Sequence, residues 1–269
     1  MSTPVVDRNS ARSRVTPIFD ALFTQHGEDP DLLSKLLALP QRFDGTVADP
    51  VGDTGELVGH HWAGSAGGGE LQIAPPRSLL RWLIEHPNAL IAPRQMLSSP
   101  GDSERRRREL LAGDAGMRSE ARHLLANEEI PPRAWYVFEG PTSVDVFLET
   151  PELIVVLEGK RTEPGPTTRT QWMAVRHQLL RNIDATLELP GHRRVVGAFI
   201  VEAEPGSFDV PEKWQAMTDL TISTQALTKS LPHRSEAERE RIASGYLGAT
   251  TWAAVVREFG LSEDLVADD

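Results

Sequence analysis

The sequence predicts an α/β protein. Its center is a mixed sheet flanked by helices in the order helix, three strands, helix, strand, with an α+β region before it and a helical region after it. Three observations carry this. RAWYVFEG, SVDVFLET and LIVVLEGKRT are consecutive segments rich in Val, Phe, Tyr, Trp and Ile, separated by short Gly, Pro and Thr turns. TRTQWMAVRHQLLRNIDATLE follows with Trp172, Leu179, Leu180, Ile183 and Leu187 on one helical face. RRVVGAFIVEA is then a continuous apolar run of the kind that fills a buried strand.

The other elements can be read in chain order. Residues 1–14 are polar and aperiodic, and disorder is expected there. Residues 15–40 carry apolar positions at helical spacing, broken by Gly27 and Pro30, which predicts two short helices. GELVGHHW and GELQIA flank AGSAGGG and predict a hairpin with a loose glycine loop. PPRSLLRWLIEHP predicts a helix with Pro at its start. Asp102 or Ser103 can cap a helix through ERRRRELLAG, and MRSEARHLLANE continues it or forms a second one. The regular parts of the C-terminal third, SEAERERIASGYLG and TTWAAVVREFG, read as helical. The expected division is 1–14 disordered, 15–100 an α+β region, 101–205 the core and 206–269 a helical region.

Composition narrows the function classes. Hydrophobic residues make up 39% and charged residues 25% of the 269 positions, ordinary for a globular protein. A membrane span needs about 18 consecutive apolar residues, and the sequence has no such run. The N-terminus lacks the apolar core of a secretory signal, so a cytoplasmic protein without membrane partners is expected. Cysteine is absent, which excludes disulfides and thiolate metal sites. The net charge of −11 argues against a uniformly basic nucleic-acid binder. Local distribution decides binding, however. The basic residues gather in Arg105 to Arg108, Lys160-Arg161, Arg169, Arg176, Arg181 and His192-Arg193-Arg194. Phosphate contacts and solvated faces both fit this pattern.

The chemistry concentrates in two segments. Side chains alternate across a strand, so in LIVVLEGKRT Glu158 and Lys160 share a side with Ile154 and Val156, while Val155 and Leu157 point the other way. Ionized groups near a core cost several kcal/mol unless they are paired or bound to a metal. Asp145 sits between Val144 and Val146 in SVDVFLET. A hairpin around TPEL would bring it beside Glu158. A hard divalent cation would relieve the repulsion of two adjacent carboxylates.

An Asp on one strand and Glu-x-Lys on the next, followed by a helix and another strand, resembles the core of the PD-(D/E)XK nuclease superfamily. The likeness covers roughly residues 102 to 202 and implies a restriction endonuclease-like core with N-terminal α+β and C-terminal helical additions. It implies a DNA endonuclease in which Asp145, Glu158 and the Gly159 carbonyl bind Mg²⁺, with Mn²⁺ as a substitute. Lys160 would position or deprotonate the attacking water, or stabilize charge on the phosphate. The family often adds an acid from the preceding helix, for which Glu120 is preferred over Glu109. Gln171, Gln178 and Arg181 lie near one polar face of the following helix. The two Gln are candidates for the catalytic group, and Arg161, Arg169, Arg176 and Arg181 for DNA contact. Two features depart from the pattern. Ser143-Val144 replaces the usual Pro before the Asp, and Val175 stands where the RecB-like Gln-x-x-x-Tyr signature has Tyr. Cutting both strands would imply a homodimer, and a partner protein supplying DNA affinity would reconcile nuclease chemistry with the charge of −11. The alternative is an inactive protein of this fold that binds nucleic acid or regulates.

Other signals carry less. Adjacent strand residues face opposite sides, so His60 and His61 do not share one metal. AGSAGGG lacks the Lys-Ser/Thr ending of a phosphate loop.

Overall fold

The structure is a computed structural model, and it describes residues 10–46, 51–52, 54–64, 71–86, 102–126, 139–163, 165–166, 173, 176–191 and 193–267. The two helices expected near the N-terminus are present as α1 (Thr16–His26) and α2 (Leu32–Ala38). Pro17 lies in the first turn of α1, directly after the π-helical turn that leads into it. Residues 10–14, expected to be disordered, are helical and lead into α1. The cause is Arg14, which is buried and pairs with Glu202 at 3.0 Å.

β1 (Gly59–Trp62) and β2 (Leu71–Ile73) follow, then α3 (Arg77–Glu85), α4 (Asp102–Leu111) and α5 (Ala115–Ala126). The core elements are β3 (Thr142–Val144), β4 (Val146–Glu149), β5 (Leu153–Gly159), α6 (Gln178–Thr186) and β6 (Arg194–Val201). The chain ends with α7 (Glu212–Thr218), α8 (Thr224–Ser230), α9 (Glu236–Gly245), β7 (Tyr246–Thr251) and α10 (Trp252–Glu258).

The fold is α/β around a mixed five-stranded sheet of order β1-β4-β5-β6-β7. β4 runs antiparallel to β1 and β5, whereas β5, β6 and β7 are parallel. Side-chain alternation divides the core as the sequence predicts. Val155 and Leu157 join Val196, Ala198 and Ile200 on one face, covered by α1, α2 and α10. Ile154 and Val156 join Val195, Phe199 and Val201 on the other, covered by α6 and by residues of α7, α8 and α9. A separate cluster unites α3, α4 and α5 through Leu79, Leu83, Leu110, Met117 and Leu125.

Three expectations change. GELVGHHW and GELQIA do not pair with each other. β1 pairs with β4 and β2 with β3, because SVDVFLET breaks at Asp145 and each half takes its own partner. The helix after the three strands is described from Gln178, with His177 as its cap, and most of its expected first half lies outside the described residues. The C-terminal region contributes β7 as well as helices. Gly248 permits this with φ +100°, where the backbone of Gln41 approaches too closely for any side chain. Most of the expected strand RAWYVFEG (residues 133–138) lies outside the described residues.

Candidate active site

Asp145 and Glu158 come together because of strand register. β4 and β5 pair Val146 with Leu157, which brings Asp145, the residue just before β4, to the end of β5 that carries Glu158 and Gly159. The Gly159 N–H donates to Asp145 Oδ2 at 2.9 Å. Lys160 Nζ donates to Glu158 Oε1 at 2.7 Å, the same-side placement that alternation requires. All three residues are enclosed, with whole-residue exposures of 6% for Asp145, 0% for Glu158 and 6% for Lys160. Burial works against the Lys160 ammonium, but the charges of Glu158, Asp145 and Glu163 outweigh it and hold its pKa above the ordinary lysine value.

The opposite face of the sheet supports this corner. A Cβ on Gly159 would lie 2.7 Å from Trp252 Cζ2 and 2.9 Å from Val15 Cγ2. The middle of Glu-Gly-Lys is therefore held to glycine by packing. Trp252 Nε1 also donates to the Lys160 carbonyl at 3.1 Å, while the Lys160 N–H donates to the Ile200 carbonyl at 2.8 Å. The backbone of the site is thus tied to β6 and α10.

α6 forms the other wall. Asn182 Nδ2 donates to Glu158 Oε2 at 3.1 Å, and Thr142 Oγ1 donates to Asn182 Oδ1 at 2.5 Å. Gln178 Nε2 donates to the Ser143 carbonyl at 3.3 Å, so this expected catalytic residue braces β3 just ahead of Asp145. His177 Nδ1 accepts from the Leu180 N–H, and its ring lies 5.5 Å from that of Phe199, the strand partner of Glu158. Burial, followed by the charges of Arg176 and Lys160, pushes the His177 pKa down to about 3, so the ring is neutral.

Several expected residues serve elsewhere. Arg176 is 0% exposed and pairs with Glu139 at 3.0 Å and Asp184 at 2.8 Å, so it is no DNA contact here. Arg181 is turned toward Glu139, at 3.4 Å. Both corrections have one cause: buried carboxylates require a cation, and the nearest guanidiniums satisfy them. Glu120, expected as a further metal ligand, instead pairs with Arg106 at 2.9 Å. Glu109 pairs with Arg105 along α4. Among the described residues no group of three or more His, Asp and Glu is placed to hold a metal. Arg161 is partly exposed beside the site, whereas Gln171 and Arg169 lie outside the described residues. His60 and His61 are both exposed on β1, and His60 stacks on Trp62.

Sequence reasoning missed Asn182, Thr142, His177 and Trp252. Asn182 had a signal: it lies four positions after Gln178 on one helical face. Trp252 had none, because its contact with Gly159 exists only once β7 joins the sheet.

Fold and geometry define a class: an α/β protein with a mixed five-stranded sheet, helices on both faces, and a buried Asp–Glu–Lys group at the end of its central strand. Comparison with protein-family models, curated proteins and solved structures gives no match. No helix among the described residues is long and apolar enough to cross a membrane.

Proposed function

We propose that this protein is a Mg²⁺-dependent nuclease that hydrolyses phosphodiester bonds of DNA, acting as an endonuclease on a restriction endonuclease-like core. The observation that supports it is the enclosed group in which Asp145 accepts from the Gly159 N–H, next to Glu158, and Lys160 is bonded to Glu158. The donor set fits the ion: two carboxylates and the Gly159 carbonyl are hard oxygen ligands. Mg²⁺ usually takes one or two carboxylates and keeps several waters. When bound, Mg²⁺ lowers the pKa of coordinated water and neutralizes charge on phosphate oxygens. Asp145 and Glu158 hold the ion. Lys160 orients the attacking water or stabilizes the negative charge that develops on the phosphate. Arg161, partly exposed next to Lys160, is the expected phosphate-backbone contact nearest the site.

A plasmid-cleavage assay with Mg²⁺ or Mn²⁺ tests this on wild type, Asp145→Ala and Lys160→Ala. Loss of cleavage by at least 100-fold is expected in both variants, since each removes charge stabilization at the reacting center, an effect on the order of 10²–10³. Undiminished cleavage in both would sink the assignment.

A second reading has its own support. The cation of Lys160 already satisfies Glu158, and Arg176 and Arg181 are turned to internal carboxylates. This favors a nucleic-acid-binding or regulatory protein that no longer cleaves. Calorimetric titration with Mn²⁺ separates the two: heat of binding at millimolar concentration or below supports the nuclease, and its absence supports the inactive module.

A further inference from the structure

Asn182 belongs to neither carboxylate segment, yet it is bonded to Glu158 on β5 and to Thr142 on β3, the strand that leads into Asp145. It lies on α6, is fully buried, and donates through Nδ2 to Glu158 Oε2 at 3.1 Å. Its Oδ1 accepts at 2.5 Å from the hydroxyl of Thr142, three residues ahead of Asp145 on β3. The chemistry fixes the amide orientation, because a flipped amide would turn Oδ1 against the carboxylate. Thr142 keeps Nδ2 on Glu158 by occupying the other end. Lys160 holds the remaining Glu158 oxygen at 2.7 Å. Each carboxylate oxygen thus has its own donor, one carrying full charge and the other neutral. Asp at 182 would repel Glu158, and Leu would remove the donor at Oε2 within a closed core.

We infer that Asn182, seated by Thr142, is the positioning residue that orients the Glu158 carboxylate toward the divalent cation. The inference rests on the metal-site reading above and adds the supporting residues to it. Groups that hydrogen-bond a metal-ligating carboxylate fix the direction of its lone pairs, and their loss typically weakens metal affinity by about 10–100-fold. Asn182 is suited to this because it holds Glu158 without adding a charge that would compete with the cation. Its bond to Thr142 carries the same constraint to β3, which leads into Asp145, so the helix ties both carboxylate segments to one frame.

The test uses Mn²⁺ as the probe and the full chain, with affinity by calorimetry and the bound-ion environment by electron paramagnetic resonance. The variants are Asn182→Ala, Thr142→Val, their combination, and Thr142→Ser. Asn182→Ala is expected to weaken Mn²⁺ binding by about 10–100-fold and to broaden the bound-ion spectrum. Thr142→Val should act in the same direction but less, and Thr142→Ser, which keeps the hydroxyl, should restore both readings. The combined variant should be no weaker than Asn182→Ala alone, because both changes break one linkage. Wild-type affinity in Asn182→Ala, or additive losses in the double variant, would overturn the inference. If Asn182→Ala does not fold by circular dichroism, the contrast between Thr142→Val and Thr142→Ser decides alone: equal affinities reject it. A wild-type chain that binds no Mn²⁺ instead rejects the metal-site reading itself, and the inference with it.

Discussion

Lys160 and Glu158 form an ion pair whose side chains are 8% and 1% exposed. Removing one partner of such a pair leaves a charge in the core, and the loss far exceeds what the pair adds over a hydrophobic replacement. Lys160→Met is therefore expected to destabilize the metal-free protein by about 3 kcal/mol, measured by urea denaturation. Under the proposed function, saturating Mn²⁺ should recover part of this, since a ligand bound only by the native state raises its stability. His177 makes a pH prediction. Its pKa falls from the ordinary 6.5 to about 3 in the folded protein. Between those values the unfolded chain binds a proton that the native protein does not, so stability falls as pH drops. The contribution is fully present above 6.5 and is progressively lost toward 3. His177→Gln should flatten the decline in urea midpoint between about pH 7 and pH 4.5.

α6 owes its placement to charge as well as to its apolar face. Leu179, Leu180 and Ile183 pack on the sheet, while Asp184 joins Arg176 at 2.8 Å and Arg234 at 2.7 Å. Burial opposes the Asp184 carboxylate, but Arg176, His233 and Arg234 outweigh it and hold its pKa far below the carboxylate range. Arg176→Leu would strip one partner from each of two buried acids, and a loss of about 3 kcal/mol is expected by denaturant titration. Arg122→Ala, whose pair with Glu85 is exposed on both sides, should cost less than about 1 kcal/mol. On the opposite face, Gly159→Ala forces a methyl against Trp252. Overpacking of this kind costs about 1–3 kcal/mol, and a shift in Trp fluorescence should accompany it.

At the scale of the molecule, the elements cannot be cut into the segments that the sequence suggested. The cluster behind β5 takes Ile18, Phe19 and Leu36 from the N-terminal region and Trp252, Val255 and Phe259 from the C-terminal one. Residues 101–205 alone would expose that face of the sheet. A fragment of residues 101–205 should show no cooperative thermal transition by circular dichroism, and a sharp transition would contradict the two-sided core. The charge of −11 belongs to this scale too. With Arg176 and Arg181 used internally, DNA affinity in the proposed function falls to Arg161 and its surroundings or to a partner protein.

What the sequence determined by itself was the α/β class and the proximity of Asp145, Glu158 and Lys160. Both depend on short-range regularities: alternation puts Glu158 and Lys160 on one side, and a tight turn after Glu149 brings Asp145 back beside the end of β5. Tertiary structure alone decided which strands flank β4, that YLGATT is a strand, and how the arginines are used. YLGATT becomes β7 through its parallel pairing with β6, far away in sequence. Arg176 and Arg181 read as phosphate ligands until Glu139 and Asp184 are brought against them. Asn182 gained its place in the same way, by the docking of α6 onto the one polar corner that β5 carries at its end. Local patterns specify where side chains point; what they meet is set by long-range packing.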